Sequence, residues 1–514
     1  MQTESRPILT EVVIVGAGIA GLSAANALLQ AGVPFKCIEA HSCVGGRVRH
    51  VEGFVPWSRT PLGAEFLHGD GTSMYKYCED NDIRTRMLYS WAQGNAPMEH
   101  QKNANGVGMY FFLKSGQSVR TDRVAGSSEW SDILRLHNVF DAMGTFPLKK
   151  NDSRNLLEYA RDNGVSERCI QLAEAGFANT LCSSLSRLGL QEVSWLESQW
   201  DEDEGEGDYR LDGSLQVIVD KMASAISSDI STSDPVVSVD YTRPGQIVVK
   251  TSRKKEYHCR SVILSVPTTV IRDGDINFNP PMPEDKIQAA RAIPMNNCIK
   301  IICRFKRRFW PSDVHGAIIA DGLVPEVWFD HVGRLGEVAI NGTSESASAA
   351  SDIQAASLSA DAICTATGFC SAAWATNVAA LPQTEAAKQF LAQLDAMFGE
   401  KISSDYNLRC PASASCSGFL IYDWSKDPYI RGGYSAPESG CNWDVRSALR
   451  RPIGASIYFA GEALDDNTMS VHGAYDSGVI PPSMHVFFLF LHYLKNVSGR
   501  CCLRLLKDPM TMLL

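Results

Sequence analysis

VVIVGAGIAG at residues 12–21, together with PFKCIE at 34–39, decides the fold. Val12–Val15 is a short apolar run closed by glycines, the pattern of a strand buried on both faces in a parallel sheet. Small and apolar residues from Ile19 to Leu29 pack at helical spacing and end at Gly32, and 34–39 reads as a second strand, completing a βαβ unit. The turn between strand and helix is GxGxxG. Its chemistry needs glycine three times: Gly16 for the tight turn, Gly18 for close approach of backbone to a pyrophosphate, and Gly21 for close helix–strand packing. The helix then begins at Ile19 and Ala20 with unpaired N–H groups and a positive dipole end that suit phosphate. Glu39 stands 23 residues after Gly16, where a carboxylate accepts ribose hydroxyls and repels a 2′-phosphate. Gly45-Gly46-Arg47 adds flexible backbone and a guanidinium fork suited to phosphate. The N-terminal unit is expected to bind a dinucleotide other than NADP.

Apolar strand character returns far downstream. Residues 235–239 and 246–250 alternate about Pro244-Gly245 and predict a hairpin; 261–266 and 456–460 predict buried strands. Residues 384–398 predict an amphipathic helix capped by Gly399, and 344–359 a Ser/Ala-rich surface insertion. The 514 residues are 45% hydrophobic and 21% charged, which excludes collagen, coiled coil and a wholly disordered chain. A net charge of −10 offers no broad basic face, so nucleic acid is not expected as a partner. Fifteen cysteines without a CxxC pair or zinc-type Cys/His spacing predict free thiols in a reducing compartment and no metal site. No secretory leader or SKL-type address is read, and the apolar stretch 484–494 is too short to span a bilayer. The expectation is a cytoplasmic protein without a membrane span; nothing reports its oligomeric state.

Further strings follow in order: Gly63-Ala64-Glu65-Phe66-Leu67-His68-Gly69, Ser265-Val266-Pro267, Lys300 inside an apolar strand, WSKDPYIRGGYS at 424–435, Phe459-Ala460-Gly461-Glu462, and VHGAYDSG at 471–478. With residues 12–47 they resemble the flavin-containing amine oxidase superfamily of monoamine oxidases, polyamine oxidases and lysine-specific histone demethylases, closest in motifs to polyamine oxidases. The resemblance covers about residues 10–480. It implies an α/β fold: a Rossmann-like FAD-binding domain built from 1–72, 205–290 and 405–482, and an inserted α+β substrate-binding domain from 73–204 and 291–404. Residues 483–514 form an atypical tail. It also implies that Gly16, Gly18, Ala20, Gly21, Glu39, Gly46, Arg47, Gly63, Ala64, Val237, Gly461, Glu462, Ser470 and Val471 bind FAD. Lys300 would hold a water against flavin N5, with His68 and Tyr434 facing substrate. A helix opening at Val471 would aim its N-terminus at the flavin pyrimidine and stabilise negative charge there. Plain alternatives stand beside these: an edge-guarding Lys300, a core His68, Glu462 as a helix cap, and a simple turn before a terminal helix.

Monoamine oxidases of the family carry two aromatics around the amine and a cysteine bonded to FAD. Here Tyr434 matches the first aromatic, Ser470 stands at the second, and Gly433 or its neighbours stand at the attachment position, so FAD is expected to be non-covalent. Amino-acid oxidases need an arginine clamp, where the corresponding loop carries Glu65. Histone demethylases add an N-terminal domain and a long helical insertion, whereas here the βαβ unit starts within the first dozen residues. The expected reaction is oxidation of a C–N bond of a spermine- or spermidine-class amine by hydride transfer to flavin N5. O2 is the second substrate, giving H2O2 and an aldehyde. The alternatives are a monoamine or L-amino-acid oxidase, or a demethylase-like flavoprotein acting with partners. Six carboxylates within 201–208 read either as a solvated loop or as a rim attracting polycations. Pro481-Pro482 after Val479-Ile480 departs from the family's helical continuation.

Overall fold

A computed structural model describes residues 6–56, 58–89, 107–143, 152–203, 205, 207–211, 213–243, 245–332, 363–399 and 409–479. The Ser/Ala-rich segment 344–359, Pro244 and the tail from 480 onward lie outside the described residues.

A five-stranded parallel sheet runs in the order Ile230–Ser231, Phe35–Ile38, Val12–Val15, Ser261–Leu264, Ile457–Phe459. Its central strands are buried throughout because both faces are covered. Val12 and Ile14 pack on Leu22, Ala25 and Leu28 of the helix Ile19–Gln30. Val13 and Val15 face Val239, Ile247, Val249 and Tyr257 of a second sheet. That sheet contains the predicted hairpin, Val236–Arg243 against Gln246–Thr251. Side chains alternate between faces along a strand, so a VVIV run without polar interruption is what a strand between a helix and a second sheet requires. The layering is Rossmann-like.

A seven-stranded sheet forms the core of the other half, in the order Cys416–Asp423, Cys298–Phe305, Ile363–Ser371, Glu326–Val332, Val314–Ile319, Val107–Phe112, Gln117–Arg120. One face is apolar: Ile299, Ile301, Cys303, Val327 and Phe329 pack with Phe390 and Leu394 of the helix Gln383–Phe398. By alternation, Lys300, Glu326 and Trp328 project from the opposite face. Helices Ser131–Asp141, Leu156–Asp162, Glu167–Ala173 and Leu190–Asp203 contribute a separate apolar cluster beside it. A small sheet of Leu67–His68, Asp208–Leu211 and Thr85–Tyr89 joins early and middle parts of the chain.

One expectation needs correction. The stretch from 405 was assigned to the nucleotide-binding half, but Cys416–Asp423 pairs along its length with Cys298–Phe305 and belongs to the seven-stranded sheet. Gly399 caps the helix Gln383–Phe398 as expected, in extended backbone (φ −75°, ψ 139°). Glycine is needed there for space: a Cβ would stand 2.2 Å from the Arg409 carbonyl oxygen.

Candidate active site

A cavity of about 720 Å³ runs between the two sheets, with the glycine fingerprint at one part of its wall and Lys300 at another. Gly16, Gly18, Ala20, Glu39, Gly46, Arg47, Gly63, Ala64, Val237, Gly461, Glu462, Ser470 and Val471 all line it, as do His68, Lys300 and Tyr434. Gly21 is the one predicted site residue outside the lining. It sits behind the turn, where a Cβ would come within 2.0 Å of the Gly16 carbonyl oxygen and 2.6 Å of Ser265 Oγ. Gly21→Ala is therefore expected to push helix and strand apart, costing about 3 kcal/mol. It should leave less flavin per polypeptide, read from the ratio of visible to 280 nm absorbance.

The turn itself is built for a bound anion. Gly16 has φ +103°, and no side chain caps the helix at Gly18, so its first N–H groups are left to the cavity. Gly18 and Gly46 come close enough that a Cβ on Gly46 would meet Gly18 Cα at 3.1 Å. Glu39 is pinned by the N–H groups of Ala17 (2.7 Å) and His41 (2.8 Å), which leaves acceptor capacity on both oxygens. Arg47 and Glu462, expected as separate contacts, are joined at 2.8 Å. The Glu462 carboxylate also accepts from the Ser435 hydroxyl (2.7 Å) and the Met469 N–H (3.0 Å). It ties the 432–435 loop to the strand end at Phe459. Ser470 caps the helix Val471–Gly478 by accepting from Gly473 N–H at 2.9 Å, so its short side chain is turned into the helix.

At the other end, Lys300 is 3% exposed and its Nζ lies 2.6 Å from Glu65 Oε2, over the Trp328 ring at 5.1 Å. Burial, with Arg210 adding to it, holds the Lys300 pKa below its ordinary value although Glu65 pulls it up. For Glu65, burial alone would raise the pKa, but Lys300 and then Arg210 override it and hold the carboxyl below its ordinary value. Arg210 pairs with Glu65 and, at 3.1 Å, with Asp330. His68 Nδ1 lies 2.7 Å from Asp208, and Tyr434 donates to the Thr180 carbonyl at 2.5 Å. Of the acidic run, Asp208 reaches the cavity; the side chains of 201–204 and 206 lie outside the described residues.

Sequence reasoning misses Glu65 and Glu326 as parts of this wall, and Arg210 and Asp330 as the ion pairs behind Glu65. Glu65 was noted only as an acid where an arginine clamp would stand. The one usable signal for Glu326 was a carboxylate inside the apolar strand EVWF, the same argument that marked Lys300.

Residues 19–480 match the family model described as flavin containing amine oxidoreductase. Human lysine-specific histone demethylase 2 is 26% identical over 91% of this chain, and the chain spans about half (52%) of that relative's length. Polyamine oxidase 4 of Oryza sativa subsp. japonica is 24% identical, with 91% of this chain and 87% of that protein covered. The structure of putrescine oxidase bound to putrescine superposes with a TM-score of 0.72 at 19% identity, covering 95% of this chain and 100% of that one. Cyclohexylamine oxidase from Brevibacterium oxydans gives 0.70 at 18% identity, covering 94% and 99%. These likenesses are to whole folds. The uncapped helix start, the glycine cradle and the pinned Glu39 fit FAD: Gly16, Gly18, Gly46 and the first N–H groups of the helix would hold its pyrophosphate, and Glu39 would accept from a ribose. The chain belongs to the flavin-containing amine oxidoreductase family, and its cofactor is FAD.

Proposed function

We propose that the protein is a polyamine-class oxidase holding FAD without a covalent bond. The single observation that carries this reading is the make-up of the cavity wall around Lys300. Trp328, Phe369 and Tyr434 supply aromatic faces, Glu326 and Asp208 supply carboxylates, and both features favour a cation. The two arginines of the lining are already engaged, Arg47 with Glu462 and Arg431 with Asp273 and Asp275, which disfavours clamping of an amino-acid carboxylate. Ser470 gives no second aromatic opposite Tyr434, which disfavours a monoamine cage.

FAD, when bound, supplies the two-electron acceptor. The chain's own residues position the substrate and exclude water from it. Aromatic faces hold an alkyl amine, and the carboxylates attract it in protonated form. Lys300 keeps an N–H group on the wall while one of its protons is committed to Glu65. Overall, a C–H bond next to nitrogen is broken and water adds at that carbon. The C–N bond then cleaves to an aldehyde and a smaller amine, and O2 is reduced to H2O2. The demethylase relatives make an N-methylated lysine side chain the competing substrate, since it offers the same C–N chemistry.

The test is peroxide release from purified holoenzyme given spermine, spermidine, N1-acetylspermine, tyramine, L-amino acids and a dimethyl-lysine peptide. Polyamines are expected to exceed tyramine at least tenfold in kcat/KM. Acid precipitation should release the flavin into solution. Peroxide from the peptide, from tyramine or from amino acids alone would replace this reading.

A further inference from the structure

Arg446, on the helix Trp443–Arg450, carries a guanidinium that is only 2% exposed and stands outside the cavity lining. The oxygens its Nη1 reaches are neutral: Thr468 Oγ1 (2.8 Å), the Ala463 carbonyl (2.8 Å) and Ser435 Oγ (3.1 Å). Its Nη2 is buried with no acceptor among the described residues. A buried cation held only by neutral groups costs stability unless an anion stands within its field. An anion stands one step further on. The Ser435 and Thr468 hydroxyls pass the contact to Glu462 Oε2, at 2.7 and 3.3 Å. Glu462 is already paired with Arg47 through its other oxygen, at 2.8 Å.

Two guanidinium groups therefore bracket one carboxylate, and the cluster keeps one positive charge. Burial would raise the Glu462 carboxyl, but Arg47, Ser435 and Arg446 hold it below its ordinary value, so its negative charge is secure at neutral pH. Of the other acids near that helix, Glu438 is paired with Arg187 (2.7 Å) and Glu192 accepts from Gly440 N–H (3.0 Å). Arg47 and Glu462 line the same cavity as the glycine turn. Without Arg446 they would face it as a neutral pair, and the carboxylate would oppose an anionic ligand. FAD brings two phosphate charges to that cavity.

We propose that Arg446 is a positioning residue for FAD: it offsets Glu462 through the Ser435 and Thr468 hydroxyls, so that the Arg47 charge stays available to the cofactor's phosphates. The proposal rests on FAD as the cofactor and is independent of which amine is oxidised.

The test is the rate at which diluted holoenzyme releases FAD, read as the rise in flavin fluorescence. It compares wild type, Arg446→Lys, Arg446→Met and the double variant Arg446→Met/Glu462→Gln. Lys286 ties the far end of the helix to the Ala448 (2.6 Å) and Leu449 (3.1 Å) carbonyls, an anchor that none of these changes touches. Arg446→Met is expected to release FAD about tenfold faster than wild type, the scale of one unit charge acting across a partly buried site. Arg446→Lys keeps the charge and should stay within about threefold of wild type. The double variant removes one charge of each sign, restores the surplus positive charge, and should release FAD more slowly than Arg446→Met. A role in packing alone gives the reverse order, because loss of a second buried hydrogen-bonding group adds to the damage. An unchanged rate in Arg446→Met, equal acceleration in Arg446→Lys, or a double variant as fast as Arg446→Met overturns the assignment. If Arg446→Met is purified without flavin, the ratio of visible to 280 nm absorbance in the other two variants decides. Flavin retained by both Arg446→Lys and the double variant supports the charge role, and any other pattern rejects it.

Discussion

Lys300→Met is expected to yield a folded, yellow protein whose amine turnover falls by about two to three orders of magnitude, the usual loss when one preorganised donor is removed from a reacting site. Methionine matches the lysine stem in length and apolar character, so the strand Cys298–Phe305 should keep its packing. Glu65 would retain Arg210 as a partner, so the variant does not leave that carboxylate unpaired. What disappears is the Lys300 ammonium beside Trp328. Anaerobic stopped-flow with spermine, followed by mixing with O2, separates the reductive and oxidative halves of turnover. Unchanged rates in both would remove Lys300 from the chemistry.

Glu65→Leu should be the most damaging single change to the fold outside the glycine turn. It removes the partner shared by two buried cations, Lys300 and Arg210, and breaking a buried ion network from one side typically costs about 3–5 kcal/mol. Asp330 remains for Arg210 but nothing comparable remains for Lys300. The loss should be read as a lower thermal midpoint at saturating FAD, and it should be largely relieved in the double variant Glu65→Leu/Lys300→Met, where the orphaned ammonium is gone. A cost under about 1 kcal/mol, or no relief in the double variant, would show that packing and not charge governs this site. The pH dependence has a definite sign. Pairing holds the folded-state pKa of Glu65 below its reference value of 4.5, so its stabilisation is complete at neutral pH. It is lost only as pH falls below that reference value and through the folded-state value.

The nucleotide half of the site was legible because its information is local. Strand, turn, helix and Glu39 fit within about thirty residues, and each glycine answers to a backbone demand that sequence spacing exposes. The wall around Lys300 was only half legible. A lysine among isoleucines announces that something pays for its burial, but the partner, Glu65, lies 235 positions earlier and nothing in its neighbourhood points to Lys300. Glu326 carries the same signal in EVWF, but its partners Asn179 and Thr180 lie 147 and 146 positions earlier and no local pattern points to them. Arg47 and Glu462 were each tied to the cofactor through the family resemblance, whereas their mutual pairing depends on how the loop at 432–435 folds back. Gly399 is legible as the helix cap, whereas the close approach of Arg409 that also calls for glycine there is a tertiary fact.

The parallel sheet draws its strands from residues 12, 35, 230, 261 and 457 onward, and the helix Val471–Gly478 lies so tightly on Ile19–Gln30 that a Cβ on Gly478 would meet the Ala20 carbonyl at 2.2 Å. During synthesis, the first strands emerge hundreds of residues before their last neighbour, with apolar edges waiting for it. Such long-range closure is slow and exposes nascent chains to misassociation. Recombinant yield should therefore depend strongly on chaperone supply and on translation rate, more than the mature protein's stability would suggest.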